Sequence, residues 1–75
     1  MKQIINNLLY DTDVSDLLFT DIMTKRRWWR SPNGAFFITF QTGDMRLTTE
    51  EAVKDLLGKY DIDKYVEIFG QPEEG

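Results

Sequence analysis

The chain has 75 residues, a net charge of −4, and neither cysteine nor histidine. A chain this short buries only about 60% of its unfolded surface, which supports one domain around one small core. The missing residue types exclude a disulfide framework, thiolate or imidazole metal sites and histidine-assisted nucleophiles.

Hydrophobic content of 41% suits a folded protein rather than a disordered one. No apolar run approaches the ~20 residues of a membrane span, so no membrane partner is expected. Asn6, Asn7 and Asp11 interrupt any signal-peptide core, and a soluble cytoplasmic protein is the expectation. Charge is unevenly placed. Residues 1–24 carry one lysine against four aspartates, net −3; residues 25–46 carry five cations against Asp44, net +4; residues 47–75 carry three lysines against eight acids, net −5. A basic middle between two acidic flanks gives the molecule different fields on different sides.

Met1 to Asp11 reads as strand, turn, strand. Ile4-Ile5 and Leu8-Leu9-Tyr10 are the apolar runs, and Asn6-Asn7 can occupy the φ > 0 positions of a tight turn. Asp11-Thr12-Asp13-Val14-Ser15-Asp16 opens like a calcium loop, but its sixth position is Asp16 where glycine is needed and its twelfth is Ile22 where glutamate is needed. Local turn and capping bonds account for these side chains better, and no metal site is assigned. Val14 to Thr24 has both near-helical spacing and strand-favouring residues. A strand from about Asp16 to Met23, running into the next hairpin, is the preferred reading.

Residues 25–40 form the central feature, holding both tryptophans and three phenylalanines. Ser31-Pro32-Asn33-Gly34 is turn chemistry, closing as a type I turn with a glycine bulge. Counting outward pairs Arg30 with Phe36, Trp29 with Phe37, Trp28 with Ile38, Arg27 with Thr39 and Arg26 with Phe40. Side chains alternate across strands. One face is therefore Trp28, Phe36, Ile38 and Phe40, with Arg26 and Arg30 at its margins; it is the more apolar and is assigned to the core. The other is Trp29, Phe37, Arg27 and Thr39. It is expected to be only partly covered, as a cross-strand aromatic pair, a recognition surface, or both.

Gln41 to Asp44 is a further turn, and Met45-Arg46-Leu47 an extended piece leading to a helix start. Thr48-Thr49-Glu50-Glu51 reads as a capping box with Thr48 as the cap. Ala52, Val53, Leu56, Leu57 and Tyr60 then recur at helical spacing, with Gly58 as the expected stop. Asp61 caps a second helix whose face is Ile62, Tyr65, Val66 and Phe69, ended by Gly70. Residues 1–70 make one α+β domain, a small antiparallel sheet of three to five strands with two C-terminal helices on one face. Residues 71–75 are a polar, acidic tail.

Lys2 to Asp13 resembles the opening of a family of small uncharacterised proteins from bacteria, their phages and mobile elements, which begin K-I-I-N-G-K-L-Y-D-T. Trp29 to Phe37 resembles that family's later hairpin. Leu47 to Ala52 and Asp63-Lys64-Tyr65-Val66-Glu67-Ile68-Phe69-Gly70 resemble its closing helices, the last written D-K-Y-E-E-I-F-G. Asn7 stands where the family has glycine, and an insert before the hairpin is largely missing. The resemblance implies the sheet-then-helices order and an accessory or anti-defence role, for example an anti-CRISPR.

No catalytic, cofactor-binding or metal-ligating residue is assigned. Asp61 and Asp63 sit at helix-start spacing, where the helix dipole accounts for them. The expected function is a non-catalytic protein-binding module that inhibits or modulates a host protein, such as a nucleic-acid-handling defence complex. The expected contacts are Arg27, Trp29, Arg30 and Phe37. Nucleic-acid binding by the basic aromatic hairpin is the alternative, weakened by the acidic second helix and overall charge. A second copy is a further candidate partner, through exposed strand edges.

Overall fold

In the computed structural model, which describes residues 1–75, the chain forms six strands, a 3₁₀ turn and two helices in the order β1 (Lys2–Ile5), β2 (Leu8–Asp11), the turn Thr12–Val14, β3 (Asp16–Asp21), β4 (Arg26–Arg30), β5 (Phe36–Thr39), β6 (Met45–Thr48), α1 (Glu50–Tyr60) and α2 (Ile62–Phe69). The class is α+β, as the residue pattern predicts. Strands β3 to β6 make a four-stranded antiparallel meander, while β1 and β2 form a separate hairpin.

Each turn follows from its residues. Asn6 and Asn7 both take positive φ, 52° and 67°, and close β1 onto β2 with Ile5 opposite Leu8. Gly34, at φ 84°, closes the β4–β5 turn, where Ser31 N–H donates to the Ala35 carbonyl at 2.8 Å and Ser31 Oγ accepts from Ala35 N–H at 3.1 Å. The register beyond it is Arg30–Phe36, Trp29–Phe37, Trp28–Ile38 and Arg27–Thr39, the pairing that the turn chemistry predicts. β3 is a strand, ending at Asp21 rather than Met23. A bulge between Leu17 and Phe19 turns Leu18 into the core.

The sheet is covered on both faces, and this decides the fate of its aromatic residues. On one face Leu18 and Phe36 pack with Val53 and Leu57 of α1, with Trp28, Phe19, Tyr65, Ile68 and Phe69 around them. On the other, Phe37 and Met45 pack with Tyr10 of β2, flanked by Ile5 and Trp29. The hairpin β1–β2 is thus a second covering layer, and the small core is split into two clusters.

The helices correct three expectations. Thr49, not Thr48, caps α1, its hydroxyl accepting from Ala52 N–H at 3.1 Å. Thr48 is already committed to β6 opposite Phe36. With the cap one residue later, Ala52 takes the third helical position and Glu51 has no reciprocal role. Gly58 does not stop α1, which continues to Tyr60. A Cβ at Gly58 would meet Tyr65 Cδ2 at 3.8 Å, so the position lies where the two helices pack. Finally, Asp61 caps α2 as expected, accepting from Lys64 N–H at 3.2 Å, but Ile62 is 62% exposed and Ile68 joins the packed face in its place. Residues 71–75 are exposed and carry no helix or strand. No helix is long and apolar enough to cross a membrane.

Candidate interaction surface

The four residues expected as contacts are not all open to a partner. Phe37 is wholly buried: the Tyr10 ring meets it edge-on at 5.4 Å and the Trp29 ring stacks on it at 6.2 Å, 10° from parallel. A side chain enclosed on all sides cannot touch a partner, so Phe37 is a core residue. Trp29 keeps a partly open edge. Its indole N–H donates to Thr39 Oγ1 at 3.0 Å, and the buried Thr39 hydroxyl thereby gains its partner. Arg30 lies on the opposite face, next to Phe36, where its guanidinium donates to Asp16 Oδ2 at 3.2 Å. Of the expected set, Arg27 alone is exposed, and it has no ion-pair partner within 4.0 Å. Nothing in the residue pattern signals that a hairpin from the N-terminus covers the second face, because that contact spans roughly the whole of β2 to β5.

Two residues of the face assigned to the core also sit differently. Ile38 is half-buried, and Phe40 is sheathed by cations rather than helices, with the Arg26 guanidinium 5.3 Å and the Arg46 guanidinium 5.7 Å from its ring centre.

The exposed feature that stands out is the turn between β3 and β4. Asp21 fixes it: its Oδ1 accepts from Met23 N–H at 3.0 Å and Thr24 N–H at 3.4 Å, and its carbonyl accepts from Lys25 N–H at 2.7 Å. Lys25 takes φ 61° to complete the reversal. Held this way, Ile22 and Met23 project into solvent, 82% and 91% exposed, the two most exposed large apolar side chains of the molecule. One residue beyond them come Lys25, Arg26 and Arg27, and the paired hairpin brings Arg46 beside Phe40; none of the four has an acidic partner within 4.0 Å. The C-terminus of α1 arrives at the same end. Tyr60 contacts Phe19 at 5.9 Å and shares a shallow cavity of about 330 Å³ with Ile22 and Leu56, while Lys59 Nζ lies 5.3 Å from the Tyr60 ring.

This end of the sheet is therefore an apolar tip backed by unpaired cations on a rigid turn. Chemically it can insert apolar side chains into a recess and attract anionic groups around it. It lacks the open aromatic platform that stacks bases, since Phe40 is sheathed and the face of Trp29 lies on Phe37. The residues that resembled a calcium loop instead bond locally: Asp11 Oδ1 accepts from Asp13 N–H at 3.0 Å, and Ser15 Oγ donates to the Asp11 carbonyl at 2.7 Å. Compared with known proteins, the chain matches no family model, no curated protein and no solved structure.

Proposed function

We propose that the chain is a non-catalytic protein-binding module that docks through the apolar, cationic tip formed by Ile22, Met23, Lys25, Arg26 and Arg27, with Arg46 beside it. The observation that carries the reading is the pair of adjacent apolar side chains, 82% and 91% exposed on a turn fixed by Asp21. Water disfavours such a pair, and a fixed turn keeps it from folding back. Unpaired arginines nearby add long-range attraction and specificity toward an acidic partner surface. On the resemblance of its opening and closing segments, the partner is a cytoplasmic bacterial host protein that the module inhibits or modulates, in an accessory or anti-defence role.

The test is affinity capture from bacterial lysate with the wild type, Met23→Asp, Arg27→Glu and the double variant. The reading expects one specific protein to be retained by the wild type and lost with each tip variant, all four chains being equally folded by circular dichroism. Retention undiminished in the double variant contradicts it. Labelled single- and double-stranded DNA and RNA, titrated at two salt concentrations, form the second arm. Tight binding that weakens steeply with salt would assign the cations to phosphate instead.

A further inference from the structure

Three hairpin turns join the four strands of the meander. In each, positive φ falls on the residue just before the returning strand makes its first pair, which is Asp21 with Arg26, Ser31 with Ala35 and Phe40 with Asp44. Two of the turns place glycine there, Gly34 at 84° and Gly43 at 94°, whereas the β3–β4 turn places Lys25, at 61°. Elsewhere positive φ falls only on Asn6, Asn7 and Gly70, residue types that tolerate it. In this region a Cβ crowds the following carbonyl oxygen, so Lys25 works against the turn that Asp21 holds. Glycine would close the same turn without strain, and what it would remove is the lysine side chain.

That side chain is also the one lysine without a partner in its own chain. Lys2 lies 4.0 Å from Asp11 and Lys64 lies 2.8 Å from Glu67. Lys54 and Lys59 stand over the Phe69 and Tyr60 rings, at 5.2 and 5.3 Å. Lys25 is exposed, has no acid within 4.0 Å and stands over no ring. The Asp21 carboxylate, close by in sequence, is taken up by the Met23 and Thr24 N–H groups. Backbone strain beside two apolar side chains held in water marks a turn shaped for something other than folding.

We infer that Lys25 is the specificity-determining residue of the tip, its ammonium taking an aspartate or glutamate carboxylate of the partner protein while Ile22 and Met23 pack beside it. This rests on the reading of the tip as a protein contact and names the group that it recognises. A compact ammonium with three donors makes a short, charge-assisted bond to a carboxylate. Covered by the neighbouring apolar contact, that bond discriminates against surfaces that lack the acid, because the ammonium would then lose water and gain nothing.

Two measurements on the full chain test this, one of the strain and one of the contact. Lys25→Gly should raise the urea midpoint above those of the wild type and of Lys25→Ala, at constant slope, since glycine alone relieves the backbone. For the contact, a water-soluble carbodiimide, which joins an amine to a carboxylate touching it, is added to bacterial lysate holding the tagged chain, and the cross-linked peptides are mapped. Lys25 should be linked to an aspartate or glutamate of one discrete protein, ahead of Lys2, Lys54, Lys59 and Lys64. Retention of that protein without cross-linker should fall at least about tenfold in Lys25→Gly and Lys25→Ala, and return in Lys25→Arg, which keeps the charge. A Lys25→Gly midpoint no higher than that of Lys25→Ala, links through the other lysines alone, or retention undiminished in Lys25→Gly overturns the inference. If retention survives Lys25→Gly but is lost with Met23→Asp, the protein-contact reading stands without Lys25; if Met23→Asp loses nothing either, both fall.

Discussion

Phe37 and Trp29 sit side by side, yet they contribute differently. Phe37 has no exposed surface and is gripped by Tyr10 and Met45, so Phe37→Ala should cost about 3–5 kcal/mol, which approaches the whole stability of a domain this size. Trp29 is half-buried, and Trp29→Ala loses the stack on Phe37 and the bond to Thr39, for an expected cost of about 2 kcal/mol. Urea midpoints at constant slope measure both. A Trp29→Ala chain as stable as the wild type would mean that its ring serves only contact. The alternation that separates Trp28 from Trp29 was legible from the Ser31-Pro32-Asn33-Gly34 turn, since one fixed turn sets every pair beyond it. The covering of the second face was not, because Tyr10 reaches Phe37 across a sequence distance on which local patterning is silent.

Among the elements, the helices offer the sharpest checks on where structure begins and ends. Thr49→Ala should cost about 1 kcal/mol as a lost cap, and Thr48→Ala, at the end of a strand, clearly less; the reverse order would restore Thr48 as the cap. Gly58→Ala should stabilise the domain by about 0.5–1 kcal/mol, because the residue is inside α1 and its new methyl group meets Tyr65 at an ordinary distance. A loss of stability would show that the helix–helix contact needs the bare backbone. Both misplacements have one cause. Thr-Thr-Glu-Glu supports two caps one residue apart, and the choice is made by the strand pairing of Thr48 with Phe36, a tertiary contact. Gly58 signals a stop locally, but α2 packs across it and keeps the helix intact. Asn6-Asn7, by contrast, needed no tertiary help, since both residues tolerate the positive φ they adopt.

At the scale of the whole molecule, the uneven charge visible along the chain becomes a spatial feature. Four cations without an acidic partner within 4.0 Å gather at the tip end of the sheet, while residues 50–75, with eight acids, form the helices over one face and the exposed tail. That the middle is basic was readable from sequence. That Ile22 and Met23 stand out in solvent was not, because an apolar pair reads as buried until the Asp21 turn is seen to hold it out. Met23→Asp should therefore leave the urea midpoint within about 0.5 kcal/mol of the wild type, as for other exposed positions away from packing, while removing partner binding. The most direct measurement is a photo-crosslinking amino acid placed at position 23 and, as a control, at the exposed Asp63 position on α2, with the chain expressed in bacterial cells. The account predicts a discrete covalent protein adduct from position 23, abolished by Arg27→Glu, and none from position 63. Adducts from position 63 alone, or from position 23 regardless of Arg27, would contradict it.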